Sequence, residues 1–316
     1  MRRALIVGSE GQDGRILFDR LAAEGVSVAG IGRESLRGGN GAELRPARVD
    51  TLSEVRQVVD AWRPDEVYYL AAIHQSSQDP APLDDASLFE KSLRIHVSGI
   101  VNFLTAMRAI VPHSVAFYAA SSLVFGEPSE TPQNEATPLR PRCIYGITKA
   151  AGMEACRFFR DVHGLHVSVG VLYNHESMFR SANYLSKKIV GAAARIEKGS
   201  QEKLVVGDLS AQTDWGYAPD FVDAMVRMVR HDSPADYVVA TGEPHTVKEF
   251  AEIAFRRVDL DWRDHVVENK ALLSRRPITR IGDSSRLRRN TGWEPTVSFR
   301  RMVELLTDAE RIGHAA

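Results

Sequence analysis

Apolar strand-like runs alternate with segments of helical periodicity through the first 172 residues, and this rhythm constrains the fold more than any other feature of the chain. Residues 3–7 read as a short buried strand, 13–24 as a helix with Ile16, Leu17 and Leu21 on one face, and 26–31 as a second strand. A helix over 53–62, a strand over 66–70, a long amphipathic helix over 88–109 and a strand over 114–119 follow. A further helix runs from Tyr145 to about His163, and a strand covers 167–172. Strands that are apolar throughout, rather than alternating, belong to a parallel sheet covered on both faces. The expected class is α/β, with a doubly wound parallel sheet.

Beyond residue 174 the pattern loosens. Short helices over 184–198, 220–230, 247–257 and 300–310 are separated by strand-like pieces at 203–206 and 237–240. The chain therefore divides into a sheet domain over 1–173, with a later return near 212–242, and a smaller α/β substrate lobe built mainly from 174–316. The segment 75–85, with Pro80 and Pro82, reads as a long loop of the kind that often carries function.

Charge excludes several partners. Lys and Arg total 40 against 41 Asp and Glu, so no net field draws the chain to nucleic acid or an anionic membrane, and a small molecule is the expected partner. Cys143 and Cys156 have neither CxxC nor Cys/His spacing, which argues against a disulfide scaffold or a metal site. The apolar run 4–7 meets a glycine turn too soon to serve as a leader, and no stretch approaches the roughly 20 apolar residues of a membrane span. The expected compartment is the cytoplasm.

Gly8-Ser-Glu-Gly11-Gln-Asp-Gly14 has the spacing GxxGxxG and falls between the first strand and the first helix. A tight turn, a close backbone approach and free N–H groups at a helix start are what a pyrophosphate requires. A plain βα turn is the alternative, and its place in a βαβ unit at the chain start favours a Rossmann dinucleotide site. At the end of the second strand an acid would bind a ribose 2′-hydroxyl and an arginine a 2′-phosphate. Arg33 follows that strand directly and Arg37 is within reach of the same pocket, so NADP is favoured over NAD, with Glu34 the contrary sign. Asp50, just before the second helix, could contact the adenine edge or simply sit in a surface turn.

Tyr145-Gly-Ile-Thr-Lys149 places a phenol and an ammonium at i and i+4, on one helical face. Positive charge from Lys149 and a bound nicotinamide is expected to lower the Tyr145 pKa and suit it to acid/base work on a sugar hydroxyl or carbonyl. Alone, such a spacing also fits an exposed helical pair. The context is Ser121-Ser122 at the end of a central strand, where sheet ligands bind and a hydroxyl can reach the reacting oxygen.

The glycine turn, the Ser121/Tyr145/Lys149 set and the C-terminal lobe resemble the extended short-chain dehydrogenase/reductase superfamily, and within it the GDP-mannose 4,6-dehydratase family. The segments that carry the second resemblance are Gly11-Gln-Asp-Gly14, Leu70-Ala71-Ala72, Pro141-Arg-Cys-Ile-Tyr145, Tyr173-Asn-His-Glu-Ser177, Asp214-Trp-Gly216 and Ala240-Thr-Gly-Glu243. The resemblance implies cofactor contacts for Gly8, Gly11, Gln12, Asp13, Gly14, Leu70, Ala71 and Ala72, and a place for His175 near the nicotinamide. It further implies that Asn174 faces the substrate diphosphate, that Glu176, Lys187 and Lys188 lie on the substrate side, and that Arg276 holds a GDP-type nucleotide. A solvated helix face for the lysines and a satisfied buried site for His175 are the alternatives. Trp215 and Trp293 read as core residues.

One departure bears on the reaction. The family's Thr-Ser-Glu-Leu-Tyr-Gly aligns with Ser121-Ser122-Leu123-Val124-Phe125-Gly126, so the glutamate that takes the C5 proton and assists loss of the C6 hydroxyl falls on Leu123. Glu127 lies beyond Gly126 and is a poor substitute. The arginine before Asp-Trp-Gly is Thr213, and Ile73-His74-Gln75 replaces the family's Gln-Ser-His. These differences imply an NADP(H)-dependent 4-keto-6-deoxysugar reductase or epimerase that works at C4 without dehydration. A dehydratase using His74 or Glu176 as base, and a non-catalytic cofactor-binding sensor, are the competing readings. The superfamily also implies a homodimer or homotetramer, paired through the helices 88–109 and 145–163, which carry Ile100, Val101, Phe103, Leu104, Ala151, Phe158 and Phe159.

Overall fold

The computed structural model describes residues 1–32, 36–38, 47–73, 83–272 and 278–313, with 36–38 and 272 as backbone only. Arg33, Glu34, His74 and Arg276 thus lie outside the described residues, and Arg37 is described only as backbone.

The chain runs β1 (Arg3–Val7), α1 (Gln12–Ala23), β2 (Ser27–Ile31), β3 (Leu36–Gly38), α2 (Leu52–Trp62), β4 (Glu66–Tyr69), α3 (Asp85–Leu93), a π-helical turn (Arg94–Gly99), α4 (Ile100–Ile110) and β5 (Val115–Ser121). Then come α5 (Ile144–His163), β6 (His166–Leu172), β7 (Asn174–Glu176), α6 (Leu185–Glu197), β8 (Leu204–Val206), β9 (Gln212–Tyr217), α7 (Ala218–Arg230) and β10 (Asp236–Val239). The last elements are β11 (Pro244–Thr246), α8 (Val247–Arg256), β12 (Val266–Glu268), α9 (Ser285–Thr291) and α10 (Phe299–Gly313).

The main sheet has seven strands in the order β10-β6-β5-β4-β1-β2-β3, six of them parallel and β3 antiparallel at the edge. The short β3 is not evident in the sequence pattern. Strand order reverses between β1 and β4, which opens a crevice at their carboxyl ends, the place where open α/β sheets bind ligands. Both faces of the sheet are covered, and residues such as Leu5, Ile6, Val67, Phe117 and Val169 are wholly buried. Transferring such side chains from water is the main stabilising term, about 1.5–3 kcal/mol each.

Beyond β6 the chain builds a second core. Ile189, Phe250, Phe255, Met302 and Leu306, from α6, α8 and α10, pack around Trp215, which stacks on Phe299. Trp293 is fully buried in the first core. Strand β10 returns to the main sheet, and Asp214 ties the two regions together by accepting hydrogen bonds from the backbone N–H groups of Thr241, Gly242 and Gly282.

The helix expected over 88–109 is not continuous. A π-helical turn interrupts it, and tyrosines from the sheet satisfy carbonyls there: Tyr69 donates to Ile95 O at 2.5 Å and Tyr118 donates to His96 O at 2.9 Å. The break comes from these tertiary partners, which periodicity cannot register. Ile100, Phe103, Leu104 and Phe159 are buried within the chain itself, whereas Phe158, Val162 and Ile147 on α5 are 52%, 62% and 42% exposed.

Candidate active site

The glycine turn follows β1 directly. Gly8 has φ +94°, and a β-carbon there would lie 2.7 Å from the Ala71 nitrogen, so the close approach of the chain leaving β4 requires glycine. A side chain at Gly14 would overlap the Gly8 carbonyl and lie 2.6 Å from Ser9 Cα, so this glycine lets α1 pack on the turn. Gly11 is exposed and a β-carbon there meets only the Gly8 oxygen at 3.3 Å, so packing alone does not account for it. No side chain caps α1, which leaves the N–H groups of its first turn facing the crevice mouth. These are the features that a pyrophosphate site requires.

Ser121 ends β5, the strand next to β4, and its Oγ accepts the Leu123 N–H at 3.3 Å. Leu123 starts no new strand but lies in a single 3-10 turn, Ser122–Phe125, with Ser122 buried and Leu123 half-buried. A β-carbon at Gly146 would lie 2.6 Å from the Leu123 carbonyl oxygen, so residue 123 is pressed against the start of the helix that carries Tyr145. Lys149, only 1% exposed, donates to Ala119 O at 2.7 Å, and its Nζ lies 5.0 Å from the Tyr118 ring centroid and 5.7 Å from that of Tyr145. The strand end and the α5 face thus converge.

In the ligand-free chain, burial dominates both groups. Burial pushes the Tyr145 phenol above its ordinary value, Tyr184 and Asp13 adding to the rise and Arg180 opposing it. Burial also lowers the Lys149 ammonium to about 7. Lys149 therefore does not hold Tyr145 as a ready base; the phenol stays protonated near neutrality.

The strand β7 and the loop after it close over the glycine turn. His175 stacks on Phe221, its Nδ1 donates to Tyr173 O at 2.7 Å, and its Nε2 lies 3.0 and 3.1 Å from the two Asp13 oxygens. Burial alone would lower the His175 pKa, but the Asp13 charge and hydrogen bond raise it. Gln12 is bonded to His175 O at 3.0 Å and accepts from Ser177 Oγ at 2.9 Å. Asp13 and Gln12 thus hold β7 and its following loop, and their side chains are committed to that contact.

Other residues singled out from the sequence lie as follows. Leu70 and Ala71 are half-buried beside Gly8, with Ala72 exposed next to them. Asp50 accepts from Arg48 in the turn before α2. Asn174 is exposed on β7. Glu176, 2% exposed, accepts from Ser186 Oγ at 2.7 Å and pairs with Arg180 at 3.1 Å, so its carboxylate is not poised as a base. Lys187 is paired with Glu310 on α10 and donates to Met178 O, while Lys188 is half-buried beside it.

Three neighbours of Tyr145 went unread in the sequence. Arg180 stacks over Tyr184 with its guanidinium carbon 3.8 Å from the ring centroid, and both bear on the phenol. His96 sits in the π-helical turn with its ring edge-to-face against Tyr145, centroids 5.2 Å apart. Its Nε2 accepts the Ile73 N–H at 2.9 Å, so the ring hydrogen lies on Nδ1, which donates to Thr148 Oγ1 at 2.8 Å. No spacing rule marks His96, because its partners come from three separate elements.

Comparison with known proteins agrees with this architecture. The family model described as GDP-mannose 4,6 dehydratase matches residues 5–306. The chain belongs to the GDP-mannose 4,6-dehydratase family. GDP-mannose 4,6 dehydratase 1 of Arabidopsis thaliana is 34% identical over 333 residues, covering 97% of this chain and 89% of the relative. The human GDP-mannose 4,6 dehydratase is 30% identical, covering 97% and 91%. Among solved structures, RMD from Pseudomonas aeruginosa complexed with NADPH superposes with TM-score 0.82 at 22% identity, covering 99% of this chain and all of that one. A UDP-glucose 4-epimerase from Thermotoga maritima with UDP-glucose gives TM-score 0.84 at 18% identity, covering 99% of each chain. Family membership makes the chain an enzyme of nucleotide-sugar chemistry within the extended short-chain dehydrogenase/reductase superfamily. Among the described residues no helix is long and apolar enough to cross a membrane.

Proposed function

We propose that this family member uses NADP(H) to transfer a hydride at C4 of a GDP-linked hexose, as a 4-keto-6-deoxysugar reductase or an epimerase, without eliminating water. The observation that carries the reading is Leu123, an alkyl group beside the start of α5 where the dehydratase pattern has its proton-abstracting glutamate. General acid/base catalysis needs a titrating group within hydrogen-bond reach. Glu127 is exposed, Glu176 is held by Arg180 and Ser186, and Asp13 is held by His175. Leucine at this place also suits the methyl carbon of a 6-deoxysugar.

Gly8, Gly11 and Gly14 with the first turn of α1 would hold the pyrophosphate, and Leu70, Ala71 and Ala72 would border the dinucleotide. When bound, the reduced nicotinamide supplies the hydride. Ser121 Oγ then polarises the C4 oxygen, and the Tyr145 hydroxyl hands its proton to that oxygen. A raised phenol pKa keeps Tyr145 in the acid form that reduction consumes. Lys149 would hold the ribose and stabilise the phenolate left behind. Ser122, Asn174, Lys187 and Lys188 would border the sugar nucleotide, Arg276 its base, and Arg33, Arg37 and Asp50 the adenosine end of the cofactor. The region after residue 173 would serve mainly as the substrate lobe, and the chain would act as a homodimer or homotetramer.

The dehydratase names of the relatives favour a second reading, in which elimination persists. Purified enzyme incubated with GDP-mannose and NADP discriminates the two. The proposal expects no 4-keto-6-deoxy product from the wild type, with elimination appearing in Leu123→Glu. Wild-type turnover of GDP-mannose at an ordinary enzymatic rate would overturn it.

A further inference from the structure

A Rossmann strand normally presents, at the end of β2, the side chain that reads the adenosine ribose of a bound dinucleotide. Here that position is Gly32, which has none. The space is filled from the glycine turn instead: a β-carbon at Gly32 would lie 2.5 and 2.7 Å from the two carboxylate oxygens of Glu10. Gly30, two residues earlier on the same face of the strand, makes room for Ser9 in the same way, a β-carbon there lying 2.5 Å from Ser9 Cβ. The backbone is pinned to the strand end, since the Gly8 and Ser9 N–H groups both donate to Ile31 O, at 2.8 and 3.2 Å. Arg15 holds the Glu10 carbonyl at 2.9 Å from the other side. Two side-chain-free positions on β2 and a doubly bonded turn thus deliver a carboxylate to the end of the strand.

We propose that Glu10 is a specificity-determining residue that makes this enzyme accept NADH alongside NADPH. The inference rests on the reading of the glycine turn as the dinucleotide site. A carboxylate accepts a hydrogen bond from a ribose 2′-hydroxyl and repels a 2′-phosphate, which carries up to two negative charges. Glu10 therefore works against the arginine at position 33, the sequence feature that favours the phosphate. Glu10 is exposed, so replacing it leaves the core intact.

Fluorescence titration of the purified protein with NADPH and NADH, without sugar substrate, tests this. For the wild type the two dissociation constants should lie within about tenfold of each other. In Glu10→Gln, which keeps the shape and removes the charge, the preference for NADPH should rise about tenfold or more, chiefly through tighter NADPH binding. Gly32→Ala, whose methyl group displaces the carboxylate, should move the ratio the same way. An unchanged ratio in both variants, with both nucleotides still bound, overturns the role of Glu10. Failure of the folded wild type to bind either nucleotide overturns the reading of the site itself, and the proposal with it.

Discussion

His175 and Asp13 form a part-buried ion pair across 162 residues of chain, Nε2 lying 3.0 Å from the nearer carboxylate oxygen. The pair joins the first turn of α1 to β7, and so joins the expected cofactor cradle to the segment that opens the C-terminal region. Its two members are shifted in opposite senses. His175 is raised above 6.5 and Asp13 lowered below 3.8, each partner overcoming the burial that opposes its charge.

A pH signature follows from those directions. The raised histidine contributes stability fully below 6.5 and loses it as pH climbs through the folded value; the lowered aspartate contributes above 3.8 and loses it as pH falls through its folded value. The pair is therefore strongest between the two folded pKa values. Asp13→Asn should cost about 2 kcal/mol near pH 6 and progressively less toward alkaline pH, where His175 is neutral in either protein. Urea denaturation of both proteins across that range measures it. A constant difference at every pH would refute the assignment.

Lys149 should trade stability for function. Its ammonium is lowered from 10.5 to about 7 by burial, so between those values the unfolded chain binds more protons and stability rises with pH. Lys149→Met removes a buried charge while filling similar volume. Its unfolding midpoint near pH 6 should equal or exceed that of the wild type, while turnover falls about 100-fold. Thermal melts paired with initial rates test both halves; loss of stability at acidic pH would contradict the account.

The proposed pairing of subunits would run through the exposed side of α5. Phe158 and Val162, 52% and 62% exposed, are left without cover, whereas Phe103, Leu104 and Phe159 are taken up by the chain's own core. Such a patch is usually an association surface. Phe158→Asp should shift sedimentation toward the monomer with an unchanged far-ultraviolet circular dichroism spectrum; an unaltered sedimentation coefficient would exclude α5.

What was legible in the sequence followed from local rules. The GxxGxxG spacing after a short apolar run located the βα turn, apolar strands implied a parallel sheet covered on both faces, and i, i+4 placed Tyr145 and Lys149 on one face. What was missed depends on partners far apart in the chain. The π-helical turn at Arg94–Gly99 exists because Tyr69 and Tyr118 reach it from the sheet, and His96 meets Tyr145 only once that turn is formed. The rise of the Tyr145 pKa in the ligand-free chain has a related cause: Lys149 turns to Ala119 O and is itself desolvated, so burial dominates both groups. Glu10 was passed over because its meaning depends on the empty face of Gly32.

The central claim is hydride transfer at C4 without elimination, and reduction is its simpler form. Its most direct test supplies the purified enzyme with a GDP-4-keto-6-deoxyhexose and NADPH deuterated at the transferring position, and examines the product by mass spectrometry and proton NMR. The account predicts stoichiometric oxidation of the cofactor and one deuterium at C4 of a GDP-6-deoxyhexose. No oxidation of cofactor with the ketosugar, together with conversion of GDP-mannose to that ketosugar without net cofactor use, would contradict it.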